Sequence, residues 1–231
     1  MQWSIQQPIG PWATIDRLRL RRAALRYAAR GWAVTPGAYL SGDRFTCGRA
    51  GCPVTGCHPA IEYWEDDAAT DPERIARWWR HRPYTVLLAT GWSFDALEVP
   101  APVGLRVLGA VRLHTDVIGP ERGDARGPVM ITPTGQWLFL VRPGEQLRPE
   151  LASCLDILCH GRGSWIPAAP SRTPQGPVRW AVAPEHTGWH LPASATVQAM
   201  LMEALDALGR RPQRRVTATV PRQVSTARRA A

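Results

Sequence analysis

Three cysteines and a histidine crowd one short stretch: Cys47, Cys52 and Cys57 are spaced C-x4-C-x4-C, and His58 follows the last directly. Gly48, Gly51, Pro53 and Thr55-Gly56 stand between them. Such turn formers let a short loop fold back and aim its sulfurs at one centre. Thiolate sulfur and imidazole nitrogen are the donors that tetrahedral zinc prefers, so residues 45–60 have the makings of a small zinc knuckle. The spacing is wider than the common C-x2-C, and no second cysteine pair completes a familiar zinc signature. The other reading is a turn-rich loop whose thiols are free and behave as small apolar groups. With metal bound, Cys47, Cys52 and His58 are the expected ligands. Cys57 is then either the fourth ligand or a bystander, because adjacent residues rarely both reach one tetrahedral centre.

Elsewhere the reactive residue types are scattered. His160 precedes Gly161-Arg162-Gly163 where a turn meets a strand; it could contact phosphate together with Arg162, or be a surface turn histidine. His81, His114, His186 and His190 have no partner at catalytic spacing. Cys154 and Cys159 lie five apart on an apolar segment, as buried thiols or as distant zinc ligands. There is no Gly-rich phosphate loop of recognised form and no legible Ser/His/Asp arrangement.

The elements that must position these groups follow from periodicity and punctuation. Thr14 reads as the N-cap of a helix from Ile15 to about Arg30, closed by Gly31, with Ile15, Leu18, Ala24, Leu25 and Ala28 on one face and six arginines over the rest. Trp32 to Pro36 reads as a strand leading into the cysteine loop. Asp71-Pro72-Glu73 is a helix start, with Asp as N-cap and Pro at the first helical position. In that helix the pair Trp78-Trp79 packs against a sheet or stacks on bases. Strand-like runs follow at 85–89 and 94–99, then helical spacing over 103–113 and an exposed loop over 114–127. Residues 129–132 and 136–141, joined through Pro133-Thr134-Gly135, make a hairpin. A short helix around 146–154 and three β-like runs at 155–159, 164–169 and 178–182 precede a last amphipathic helix capped by Ser194. Helices near both ends and a mixed or antiparallel sheet between them make an α+β fold.

A chain of 231 residues can bury a sizeable core. It has no apolar run near the roughly 20 residues that span a bilayer. No export signal is expected from Met1 to Trp12, and five cysteines without one point to a reducing cytoplasm. Residues 209–231 hold seven arginines and no acid, so this tail carries +7 of the net +9. It is expected to be disordered and either solvated or drawn to nucleic acid.

Taken in order, several fragments resemble the bifunctional DNA primase/polymerase (prim-pol) domain of the archaeo-eukaryotic primase superfamily. They are residues 23–36, the Cys/His loop ending in His58-Pro59, Ala68-Ala69-Thr70-Asp71-Pro72 with Trp78-Trp79, Leu88-Ala89-Thr90-Gly91, Thr132-Pro133-Thr134-Gly135, and Ala169-Pro170-Ser171 followed by Val178-Arg179-Trp180. The resemblance implies an RRM-like catalytic half with flanking helices. Its sheet would carry a D-x-D, a histidine on a following strand and a third acid, the carboxylates holding two divalent cations, Mg²⁺ or Mn²⁺, for nucleotidyl transfer. Here the D-x-D falls on Glu98-Val99-Pro100, the histidine on Trp137 and the third acid near Leu158, with Asp95 and Asp156 close by. Asp95 and Glu98 are separated by an odd number of residues and so face opposite sides of an extended strand. Asp156, an even offset from Leu158, is expected on the same side as that residue. The remnants of a catalytic set are therefore Glu98, Asp95 and Asp156. The expected layout is an N-terminal extension at 1–13, a prim-pol-like domain at 14–208 and the basic tail. Expected partners are single-stranded DNA or RNA and replication or mobile-element proteins, with no membrane. Loss of polymerase chemistry is the first expectation; an active primase/polymerase and a protein-interaction module are the alternatives.

Overall fold

The computed structural model describes residues 11–117 and 125–209. The first ten residues of the expected N-terminal extension, and the basic tail from residue 210 onward, lie outside them.

The first helix, α1 (Pro11–Ala28), starts four residues before the expected Ile15. Proline is well placed there, because its missing N–H is one that a first-turn residue could not have paired. The buried stripe of α1 is Leu20, Ala23, Ala24, Tyr27 and Ala28, while Ile15 and Leu18, expected on that face, are half exposed. Spacings of three and four between Leu20, Ala24 and Tyr27 keep one face against the core. After Gly31, in the left-handed region at φ +78°, the chain enters β1 (Val34–Gly37) and the hairpin β2 (Tyr39–Ser41) and β3 (Arg44–Thr46). Helices α2 (Trp64–Asp67) and α3 (Pro72–Trp78) follow. Asp71 caps α3 as the sequence predicts, its carboxylate accepting the Arg74 N–H at 2.7 Å. Trp79 is fully buried, and its indole N–H donates to the Tyr84 carbonyl at 2.8 Å, so it packs and cannot stack a base.

Next come β4 (Thr85–Ala89), β5 (Asp95–Pro100) and α4 (Ala101–Val117). This helix runs into the stretch expected as a loop over 114–127, of which 118–124 lie outside the described residues. The hairpin β6 (Val129–Ile131) and β7 (Gln136–Val141) forms where predicted. It leads to α5 (Pro149–Ala152), β8 (Leu158–His160) and β9 (Trp165–Pro167). The small hairpin β10 (Arg172–Thr173) and β11 (Gly176–Pro177), then β12 (Arg179–Val182) and α6 (Ser194–Ala207), complete the chain.

The mixed α+β pattern is thus realised with antiparallel sheets. One has three strands in the order β1-β4-β9, the other five in the order β12-β6-β7-β5-β8. Strand parity divides the larger sheet between two cores. Ala96, Leu138, Leu140 and Met130 face α1, α3 and the smaller sheet, joining Tyr27, Trp32, Trp79 and Phe94. Leu97, Val99, Trp137, Phe139 and Val141 face the other way, onto α4 and α6. Glu98 belongs to the first face by parity, two residues beyond the buried Ala96, where the sheet emerges from its core.

Candidate functional site

Two clusters of chemically capable side chains stand out. The first is the knuckle. Strand β1 anchors it: Ala38 N–H donates to the His58 carbonyl at 2.7 Å and Ala60 N–H to the Pro36 carbonyl at 2.8 Å, and Gly37 bridges Pro59. The loop after β3 supplies Cys47 and Cys52. The ligand atoms of Cys47, Cys52 and His58 all lie within 4.8 Å of one another, and the Cys52 sulfur is 3.5 Å from His58 Nε2. His58 Nδ1 lies 2.8 Å from the Gly56 carbonyl, a contact in which the ring N–H donates. That bond fixes the tautomer and leaves Nε2 free as a donor to metal. Burial works against a thiolate at Cys47, but the Arg49 backbone N–H, His58, the Arg49 guanidinium and Cys52 together bring its pKa down to about 6. Cys57 lies outside the group, and burial pushes its thiol up to about 12. The three converging residues could hold a metal ion.

The second cluster spans β5, β8 and the turns beyond them. In the antiparallel register Ala96 opposes His160 and Glu98 opposes Leu158, so Glu98 and His160 are diagonal neighbours on one face. Glu98 Oε2 lies 2.6 Å from His160 Nε2, and His160 Nδ1 lies 3.1 Å from Ser164 Oγ. The turn 161–164 is bound to the turn after β4: Thr90 Oγ1 donates to the Gly161 carbonyl at 2.6 Å and Thr90 N–H to the Ser164 carbonyl at 3.0 Å. Gly91 sits at φ +86°, and a Cβ there would collide with the Arg162 backbone, so this approach requires glycine. The Arg162 guanidinium lies over the Trp92 ring, 4.3 Å from its centroid.

The other expected site residues fall elsewhere. Asp95 is buried on the α4/α6 face, where Oδ2 accepts the Gly144 N–H at 2.9 Å and Oδ1 lacks a hydrogen bond of good geometry. Burial raises its pKa, only partly offset by the N–H groups of Gly144 and Gly91. Asp156 lies in an exposed turn before β8 rather than on the strand, so its even offset from Leu158 gives it no common facing. Trp137 points to the helices, close against Gly104, where a Cβ would come 2.5 Å from its Cγ. Gln136, not Trp137, shares the Glu98 face, opposite Pro100, and its buried Oε1 has no hydrogen-bond partner. Four of the arginines in and just after α1 have partners within the domain. Arg17 donates to the carbonyls of Trp79 and Arg80, Arg19 to that of Pro170, Arg26 pairs with Glu185 and Arg30 lies over Trp189.

A family model, the bifunctional DNA primase/polymerase N-terminal domain, matches residues 24–196, which contain both clusters. The chain belongs to the prim-pol family. No curated protein matches it. The prim-pol family is metal-dependent, and its chemistry needs carboxylates gathered around divalent cations. Among the described residues, the knuckle is the one group of three or more His, Cys, Asp and Glu near enough to share an ion. The positions directly opposed to Glu98 across the sheet are apolar. Leu158 stands across the strand pair from it, Leu138 on its other side and Pro100 next along its own strand face. Its carboxylate is already engaged by His160.

Ser164, Gln136 and Trp92 are the members of the cluster that sequence reasoning passed over. Two signals pointed to Ser164 and Trp92: His160 and Ser164 flank a Gly-Arg-Gly turn tight enough to bring them together, and Trp92 follows Thr90-Gly91 in a turn, where an aromatic faces solvent. Among the described residues no helix is long and apolar enough to cross a membrane.

Proposed function

We propose that this prim-pol domain, spanning 14–208, has lost nucleotidyl transfer and works as a nucleic-acid-binding protein with a structural or regulatory role in replication or on a mobile element. One observation carries the reading: among the described strand residues, the face that should gather acids presents Glu98 as its one carboxylate, bound to His160 and ringed by Leu158, Leu138 and Pro100. Two cations cannot be held by one carboxylate already shared with an imidazole. The RRM-like assignment of this half draws support from its connectivity, β5-α4-β6-β7-α5-β8, with the strands lying in the order β6-β7-β5-β8.

The knuckle is read as a structural zinc site held by Cys47, Cys52 and His58. Zinc there would fasten the loop to β1 and supply no reaction chemistry. His160 and Arg162, at the end of the five-stranded sheet, are read as the nucleic-acid contacts, with the tail after residue 209 adding attraction for phosphates.

A primer-synthesis and template-extension assay with Mg²⁺ and Mn²⁺ tests the loss of chemistry. No dNTP incorporation is expected; incorporation abolished by Glu98→Ala would overturn the proposal. Binding to single-stranded DNA should be salt-sensitive and should weaken when 209–231 are removed. Absence of binding at low salt would leave a protein-interaction module in its place.

A further inference from the structure

The end of the five-stranded sheet beyond Glu98 and His160 carries a pair of side chains that the packing of the domain does not use. The register of β5 with β8 closes at the pair Ala96 and His160. From there the chain runs back four residues to Trp92 and forward two to Arg162, so both lie at the same end of the sheet. Trp92 is 58% exposed, a large apolar surface left in water, and the Arg162 guanidinium covers its ring at 4.3 Å. Trp79 and Trp32, by contrast, are 0% and 3% exposed. The backbone beneath the pair is braced: two Thr90 hydrogen bonds tie the turns together, and the Gly91 backbone presses on that of Arg162. An exposed indole held on a fixed backbone, with a cation beside it, is the combination that receives an unpaired base and the phosphate next to it. A base inside a duplex keeps its faces stacked on its neighbours and cannot offer one to a side chain.

We infer that Trp92 and Arg162 form a stacking platform for single-stranded nucleic acid, the indole taking the face of a base and the guanidinium the adjoining phosphate. The platform rests on the nucleic-acid-binding reading above and gives it a specific surface and a preference for unpaired strands. It needs no metal. The Glu65 carboxylate, 3.8 Å from where a side chain on Gly163 would project, is an acid beside this turn and sets a limit on how far phosphates approach from that side.

The test is fluorescence anisotropy of the full chain with a labelled fifteen-residue oligo-dT, the corresponding duplex and an oligo-rU of equal length, across a salt series. Trp92→Ala should weaken oligo-dT binding about tenfold or more, with the slope of log affinity against log salt unchanged. Trp92→Phe, which keeps a ring, should recover most of the affinity. Arg162→Ala should weaken binding and make that slope shallower by about 0.7, one phosphate on a single strand. Duplex should bind the wild-type chain more weakly than oligo-dT. Equal affinity for oligo-rU extends the platform to both nucleic acids; a wild-type preference for one that vanishes in Trp92→Ala places sugar recognition at the same surface. Wild-type binding to oligo-dT with Trp92→Ala within twofold, or duplex bound as tightly, overturns the platform and leaves the binding function standing. No wild-type binding to any probe overturns the binding function itself.

Discussion

The knuckle and the Glu98–His160 cluster differ in how far the chain must travel to bring polar side chains together. At the knuckle the donors come from one loop of a dozen residues, closed by hydrogen bonds to β1, and Cys47, Cys52 and His58 converge within 4.8 Å. At the sheet the donors must come from separate strands, and each position is decided by register and parity. There Glu98 meets His160 and Leu158, while Asp95 is on the far face and Asp156 is in a turn. A loop site depends on the composition of one segment. A sheet site fails as soon as two of its positions change, because neighbouring residues on the strand face the wrong side and cannot stand in.

The largest effects should separate the two regions outright. Metal analysis of the purified chain should give about one zinc per molecule, reduced to near zero by Cys47→Ser or Cys52→Ser. Cys57→Ser should leave the stoichiometry unchanged, since Cys57 is outside the group; loss of zinc in that variant would make it the fourth ligand. Within the sheet cluster it is the backbone that should prove fragile. Gly91→Ala combines a left-handed φ with a collision against Arg162 and should cost roughly 3 kcal/mol in denaturant unfolding. Gly135→Ala, at φ +84° with nothing within 4 Å of the added carbon, should cost only about 1 kcal/mol. Equal costs would mean that the contact between the two turns is not what holds the rim.

A smaller effect tests whether Glu98 is committed to His160. A double-mutant cycle with Glu98→Gln and His160→Gln should give a coupling of about 1 kcal/mol, as for a partly buried side-chain hydrogen bond. A coupling near zero would free the carboxylate for a cation and bring the sheet cluster closer to the knuckle in kind.

How much of this was legible in the sequence follows the same division. The Asp71 cap, the 129–141 hairpin and the convergence of Cys47, Cys52 and His58 depend on neighbours within a few residues, and turn chemistry reveals them. The opposite facing of Asp95 and Glu98 came from parity within one strand. Pairing between distant segments was not legible: nothing local says that Leu158 stands across from Glu98 or that His160 reaches its carboxylate. For Asp156 parity was extended past the end of the strand into a turn, where it sets no facing. The α1 stripe failed because Ile15 and Leu18 have the right spacing, yet the core meets the helix at Leu20, Ala24 and Tyr27.

The smallest effect concerns Asp95, whose carboxyl is buried on the sheet face opposite Glu98 with its pKa raised chiefly by loss of solvent. An acid whose pKa is higher folded than unfolded keeps its proton more tightly in the native state. Its contribution to stability is therefore fully present below the unfolded value of 3.8 and is lost as pH climbs through the raised folded value. Above that point the domain carries a buried charge held mainly by the Gly144 N–H. Asp95→Asn removes the titration while keeping an oxygen for that bond. The variant should show a flatter dependence of melting temperature on pH from 4 to 7 than the wild type, whose own melting point should fall relative to the variant's over that range. The cost is bounded by the new amide N–H₂, which enters a site where Oδ1 had no good partner. A wild-type curve that rises with pH relative to the variant would mean that Asp95 is stabilised as a carboxylate, by a cation or a donor, and would return it to the list of groups able to bind metal.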